Sequence, residues 1–163
     1  MFKPSHAEPF ATMRRELFSA VIGDVMDTIG LVRQFLPAYM KPLADEMVVI
    51  GRAMPVLEAD DVGGEGAAQQ APARADGTKG LNGPFGLMMR ALDDLKPDEV
   101  YICSGSSHDY ALWGEMMSTC ALNRGAAGAV VDGYSRDTRG ILPLGLPVFS
   151  AGRYAQDQRV RGK

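Results

Sequence analysis

Cysteine and histidine are scarce in this chain of 163 residues, with two of each, and their scarcity removes whole chemistries. Cys103 and Cys120 sit in apolar stretches, one strand-like and one helix-like, where a thiol serves as a small buried hydrophobe and not as half of a disulfide. His6 and His108 are the only imidazoles, so no Cys/His cluster of the zinc type can be drawn. Any metal must therefore be a hard ion held by oxygen. A basic excess is also missing: 17 Lys and Arg stand against 20 Asp and Glu, for a net charge of −3. That balance leaves no electrostatic footprint for direct nucleic-acid binding. No apolar run approaches the ~20 residues that a membrane span requires. The opening MFKPSHAEPF lacks the apolar core of a secretory signal, which predicts a cytoplasmic protein with no membrane partner. No internal repeat is found. The length suits one domain, 1–163, with a single core.

What is there reads as α/β. Phe10, Met13, Leu17 and Phe18 recur at helical spacing, and Val21, Val25, Met26 and Ile29 do so again, with Ser19 a candidate N-cap and Gly30 a candidate stop. Asp24 and Asp27 fall on the wet side of the second helix. VVIGRAMPVL, residues 48–57, is the first strand candidate. Residues 60–80 are dominated by Gly, Ala, Asp and Gln, and the stretch reads as a flexible loop, either disordered or a substrate lid. GPFGLMMRALDDL predicts a helix that ends before Pro97, and EVYICSG a short strand. A helix is expected around 113–124, closed by Gly125. AGAVVDG and LPVFSAG are two further strands.

Two loops after strands carry the unusual residues, SGSSHDYALWGEMM and DGYSRD. In α/β proteins ligands collect at the carboxyl ends of strands, where loops and helix starts converge. Gly114 admits two readings. A helix starting there would leave the amides of Glu115, Met116 and Met117 pointing outward as a cradle for a carboxylate; or the glycine merely lets a helix pack tightly. Arg136 can hold a carboxylate or an enolate oxygen in two-point contact. Asp137 can hold Mg²⁺ directly or through water. An Arg-Asp dipeptide in a solvated turn is the bland alternative.

Glu115, twenty intervening residues, then Arg136-Asp137 resembles the acidic residue–spacer–Arg-Asp signature of the RraA-like family. That family includes the regulator of ribonuclease activity A and aldolases acting on 4-hydroxy-4-methyl-2-oxoglutarate. ALWGEMMSTCALNRGAAGAVVDGYSRD looks like its central block, and SAVIGDVMDTIG, LPAYMKPL, VVIGRAMPV and LPVFSAG match around it. The resemblance implies a swivelling β/β/α fold, a homotrimer or hexamer with sites between subunits, and further strands that this sequence does not include after Lys163. It implies a cytoplasmic lyase: a metal-dependent, class II-type pyruvate aldolase or oxaloacetate decarboxylase using Mg²⁺ or Mn²⁺. In that scheme Asp137 supports the metal and Arg136 is catalytic and contacts pyruvate. The amides after Gly114, that of Met116 above all and Met117 beside it, bind the carboxylate. Glu115 is catalytic through a water that also links it to the metal. This chain has Glu where many members have Asp, and Gly140 where some have an acid.

Other readings compete with that scheme. A Schiff-base aldolase needs a desolvated lysine, but Lys3, Lys41, Lys79, Lys96 and Lys163 lie at termini, in loops or beside proline. No glycine-rich loop after an opening strand points to a nucleoside cofactor. His108, beside Asp109, is either a substrate contact or a solvated loop residue. Trp113, Met116, Met117 and Cys120 also suit a core or subunit interface. A non-catalytic regulator binding a ribonuclease through an outer surface would need neither Mg²⁺ nor Arg136.

Overall fold

The computed structural model describes residues 7–60, 86–158 and 161–162. The expected loop at 60–80 lies, beyond Asp60, outside the described residues. Two helices open the chain, α1 (Ala7–Glu16) and α2 (Ser19–Thr28). Ser19, expected to cap α2, is instead its first helical residue. Phe18 holds the cap position in extended conformation and makes no side-chain capping bond. Asp24 and Asp27 are exposed, and Gly30 ends the segment at φ 83°, a left-handed conformation glycine adopts without penalty.

One sheet organises the rest of the chain: β1 (Lys41–Pro42), β2 (Arg52–Leu57), β3 (Glu99–Ser104), β4 (Ala111–Trp113), β5 (Gly128–Ser135) and β6 (Val148–Arg153). Its order is β1-β6-β5-β3-β2, with β4 added on β5. All pairings are parallel except β1 with β6. Parallel strands need crossovers, and three helical segments supply them: α3 (Gly86–Asp94), α4 (Glu115–Asn123) and the short α5 (Thr138–Ile141), which runs on into a 3₁₀ turn at Leu142–Leu144. The strands advance in one direction across the sheet, so right-handed crossovers put these helices on one face. The main core lies there, joining Leu92 of α3, Leu95 just after it, Met117 and Ala121 of α4 and Ile141 of α5 to Tyr101, Cys103, Val131 and Val148 of the sheet. A smaller cluster of Met40, Val100 and Val130 fills the other face.

The helix expected to begin near Trp113 starts two residues later, because Ala111–Trp113 is a strand. β5 has eight residues, and β3 covers only Gly128 to Val131. The free edge beyond takes β4, which pairs at Tyr134 and Ser135. Trp113 therefore enters the core at the end of a strand, fully buried and 5.0 Å from the Tyr101 ring. No described helix is long and apolar enough to cross a membrane.

Candidate functional site

The carboxyl ends of β4 and β5 meet, and the site grows from that meeting. The Arg136 amide donates to the Trp113 carbonyl at 2.9 Å, tying the first residue after β5 to the last of β4. Gly114 then occupies the N-cap of α4 with extended backbone (φ −157°), so glycine is not needed there for its conformation. It is needed for space. A Cβ at Gly114 would stand 2.9 Å from Asp137 Oδ2 and 3.5 Å from Arg136 Cγ. Helix α4 does start directly after Gly114, and the atoms that crowd a Cβ there belong to the Arg-Asp turn, not to a strand packed against the helix.

Asp137 has φ 60° and ψ 32°, one of two described non-glycine residues with positive φ. Asp tolerates this left-handed region better than most side chains, and a residue held there is a recognised mark of functional turns. The conformation turns the chain sharply, and the Asp137 carbonyl takes the amides of Gly140 and Ile141. It also aims the carboxylate back at α4, where Oδ2 accepts a long 3.4 Å bond from the Glu115 amide. Arg136 lies between two acids: Nε is 3.5 Å from Asp137 Oδ2, and one terminal nitrogen is 3.0 Å from Asp157 Oδ2. Both pairs are partly exposed, so water screens them.

A pocket of about 190 Å³ opens here, with Gly114, Arg136, Asp137 and Asp157 at one end. The structure brings Gly114, Met116, Met117, Arg136 and Asp137, five of the seven residues named from sequence, to one cavity wall. The other two stand elsewhere. The Glu115 side chain does not line the cavity; its carboxylate lies over Gly140, where a Cβ would fall inside it. The longer Glu and the bare Gly140 thus share one volume. His108 belongs to a different cluster. Its Nε2 is 3.5 Å from Asp132, not paired with the adjacent Asp109, and Asp132 also accepts the Tyr39 hydroxyl at 2.8 Å. Tyr39 and Tyr134 pack their rings against the imidazole.

Sequence reasoning missed the supporting residues. Ser118, wholly buried on α4, accepts the Trp113 indole N–H at 2.7 Å and donates to the Gly114 carbonyl at 3.0 Å. Asp157 and Gln158 come from the segment after β6 and complete the pocket lining. Gln158 donates to Glu58 Oε2 at 3.0 Å, and Glu58, just past β2, is itself only 2% exposed. Burial pushes the Glu58 carboxyl above its ordinary range, against the smaller opposing pull of that hydrogen bond. The neighbouring Cys103 thiol and Tyr101 hydroxyl are pushed up by the same burial. Nothing in the local sequence around Glu58 or Gln158 signals their pairing, since 100 residues separate them.

The sequence profile of the RraA-like family, described as Aldolase/RraA, matches residues 19–163. The chain belongs to the RraA-like family. The fold agrees: Streptomyces coelicolor RraAS2, described as an unusual member of the RNase ES inhibitor RraA family, superposes with a TM-score of 0.70 at 21% identity. That match covers 95% of this chain and 68% of that one. A structure described among novel cellulases from microbes of the gut ecosystem gives a TM-score of 0.76 at 25% identity, over 99% of this chain and 66% of that one. Protein DlpA of Legionella pneumophila is 28% identical over 137 residues. Those residues are 83% of this chain but 19% of DlpA, so the chain spans a small part of that relative's length and about two thirds of the solved ones. The mixed α/β sheet is that of RraA-like proteins, a family whose descriptions join aldolases with ribonuclease inhibitors.

Proposed function

We propose that this chain is a metal-dependent lyase acting on small 2-oxo acids, by retro-aldol cleavage of 4-hydroxy-2-oxo acids, by decarboxylation of oxaloacetate, or both. One observation carries the reading: Arg136, Asp137 and the first turn of α4 face a common cavity at the carboxyl ends of two parallel-paired strands. The first amides of a helix have no intrahelical acceptor, and they favour a carboxylate. Gly114 keeps the approach to them open.

The donor set fits a hard divalent ion. Asp137 and Asp157 both line the pocket, and Mg²⁺ takes one or two carboxylates while keeping its waters. Among the described residues no group of three acidic, His or Cys side chains is clustered, so the site offers no all-protein cage. Such an ion, when bound, supplies Lewis acidity toward the keto oxygen.

The chain's own residues do the rest. The amides of Met116 and Met117 hold the substrate carboxylate. Arg136 faces the keto oxygen and stabilises the negative charge that develops there as the C3–C4 bond breaks. Its guanidinium is already set by Asp137 and Asp157, so little reorganisation accompanies the reaction. Glu115, exposed beside Gly114 but outside the cavity lining, acts through a water that makes the proton transfers: removal from the C4 hydroxyl, then delivery to C3. Decarboxylation needs no hydroxyl deprotonation and draws on the same charge stabilisation. Assembly into a trimer would cover part of the apolar surface that α2 and the segment after it expose at Val25, Ile29, Val32 and Phe35.

The test is a coupled pyruvate-release assay over several 2-oxo acids, with and without Mg²⁺, on wild type, Arg136→Ala and Asp137→Ala. Metal-dependent release lost in both variants is the expected result. Metal-independent turnover, or turnover indifferent to both substitutions, rejects the mechanism. No turnover together with capture of a ribonuclease points to a regulator instead.

A further inference from the structure

A second cavity, of about 310 Å³, adjoins the first at the Arg-Asp turn, and Arg136 and Asp137 line both. It opens at the carboxyl ends of β5 and β6, where Ser135 and Arg153 stand in register on neighbouring strands. Such strand ends collect ligands. Arg153 brings a second guanidinium to this wall. One of its terminal nitrogens donates to the Leu43 carbonyl at 3.2 Å, which steadies the head and uses one of its five N–H donors. Thr138 and Tyr154 add hydroxyls, and the Tyr154 ring is packed on Tyr134 with centroids 5.5 Å apart. Guanidiniums beside hydroxyls are a donor set for a carboxylate. A substrate whose 2-oxo acid head lies in the first cavity and whose chain crosses Arg136 and Asp137 meets Arg153 with its far end. The C3–C4 bond then lies at the residues the two cavities share.

We infer that Arg153 is a specificity-determining residue for the far end of the substrate, receiving the C5 carboxylate of a 4-hydroxy-2-oxo diacid such as 4-hydroxy-2-oxoglutarate. The inference rests on the proposed head-group orientation. Cleavage leaves that carboxylate on glyoxylate, as the C4 hydroxyl gives up its proton and C3 of pyruvate gains one. Oxaloacetate ends at C4, the carboxyl it loses, and occupies the first cavity alone.

The test is calorimetric titration of the full chain with Mg²⁺, using two acids that have no C4 hydroxyl and so are not cleaved. 2-Oxoglutarate and 2-oxopentanoate share a five-carbon chain and differ by a methyl group in place of the far carboxylate. Wild type should bind 2-oxoglutarate about tenfold tighter, the scale of one charge-assisted hydrogen bond at a part-exposed site. Arg153→Ala should bring the two acids level, and Arg153→Lys, which keeps the charge, should retain part of the preference. In pyruvate release, Arg153→Ala should lower kcat/KM for 4-hydroxy-2-oxoglutarate about tenfold relative to 4-hydroxy-2-oxopentanoate. Equal binding of the two acids by wild type overturns the inference, and so does a preference that Arg153→Ala leaves intact. Equal weakening of both acids in Arg153→Ala marks a structural role through Leu43 and overturns it as well. Binding of neither acid by wild type removes it together with the head-group orientation. A diacid preference that Arg153→Ala abolishes, without pyruvate release from any 4-hydroxy-2-oxo acid, upholds this inference and refutes the lyase.

Discussion

Gly114→Ala isolates the close approach on which the site depends. The added methyl would sit 2.9 Å from Asp137 Oδ2 and 3.5–3.6 Å from Arg136 Cγ and Nε. An ordinary contact begins near 3.4 Å, so the carboxylate must retreat by roughly half an ångström or more. Two costs result. At an N-cap, alanine is poorer than glycine by about 0.5–1 kcal/mol, since it brings no capping oxygen and prefers other backbone angles. The long bond from the Glu115 amide, already 3.4 Å, is lost with little further penalty. Stability should therefore fall by about 1 kcal/mol, a Tm shift of about 2–4 °C for a domain of this size. Function should suffer far more. Displacement of reacting groups by about an ångström can cost a factor of about 10² in rate. Pyruvate release by Gly114→Ala is expected to drop about 10- to 100-fold in kcat/KM while calorimetry shows a near-native transition. Activity within twofold of wild type, with the same Tm, would show that the Asp137 carboxylate need not stand where it does, and the site would have to be rebuilt around other residues.

The same geometry sets the outcome of other substitutions. Arg136→Ala should lower kcat/KM by about 10²–10³, the scale of losing one aligned donor at a developing charge, and Arg136→Lys should recover only part of it because the two-point fork is gone. Ser118→Ala strands the buried Trp113 indole N–H and should cost about 1–3 kcal/mol, read by urea denaturation. Glu58 has a raised carboxyl, so the folded state holds its proton more tightly than the unfolded chain. Its contribution is fully present below the ordinary glutamate range and is lost as pH rises through the folded value. Glu58→Gln should accordingly flatten the fall in stability toward neutral pH and stabilise the protein there by about 1.4 kcal/mol per unit of upward shift. A pH–stability curve unchanged by that substitution would contradict the assignment.

Local pattern carried much of the architecture. The alternation of strands and helices from Glu99 onward arises from apolar runs bounded by Gly and Pro, and the Glu115–Arg136-Asp137 spacing points to the two segments that meet. Three kinds of information were not local. β4 is three residues long, too short to show an alternation, and exists because β5 outruns β3. The Glu58–Gln158 pair and the Arg136–Asp157 contact join segments distant in sequence, so no spacing rule reaches them. His108 beside Asp109 invites a local pair, but the chain carries the imidazole across to Asp132 on β5. The Glu115–Gly140 complementarity was half visible: both departures from the family pattern could be read, but not that one fills the space left by the other.

The burial of Cys103 offers a practical consequence. Its thiol is 1% exposed and pushed well above the range in which thiolate forms at neutral pH, whereas Cys120 on α4 is only partly buried. Alkylating reagents act on the thiolate, so a native sample should label once and an unfolded one twice. The second label would clock the opening of the layer between the sheet and its helices, giving ligand-induced protection a mass-spectrometric readout that needs no catalytic assay.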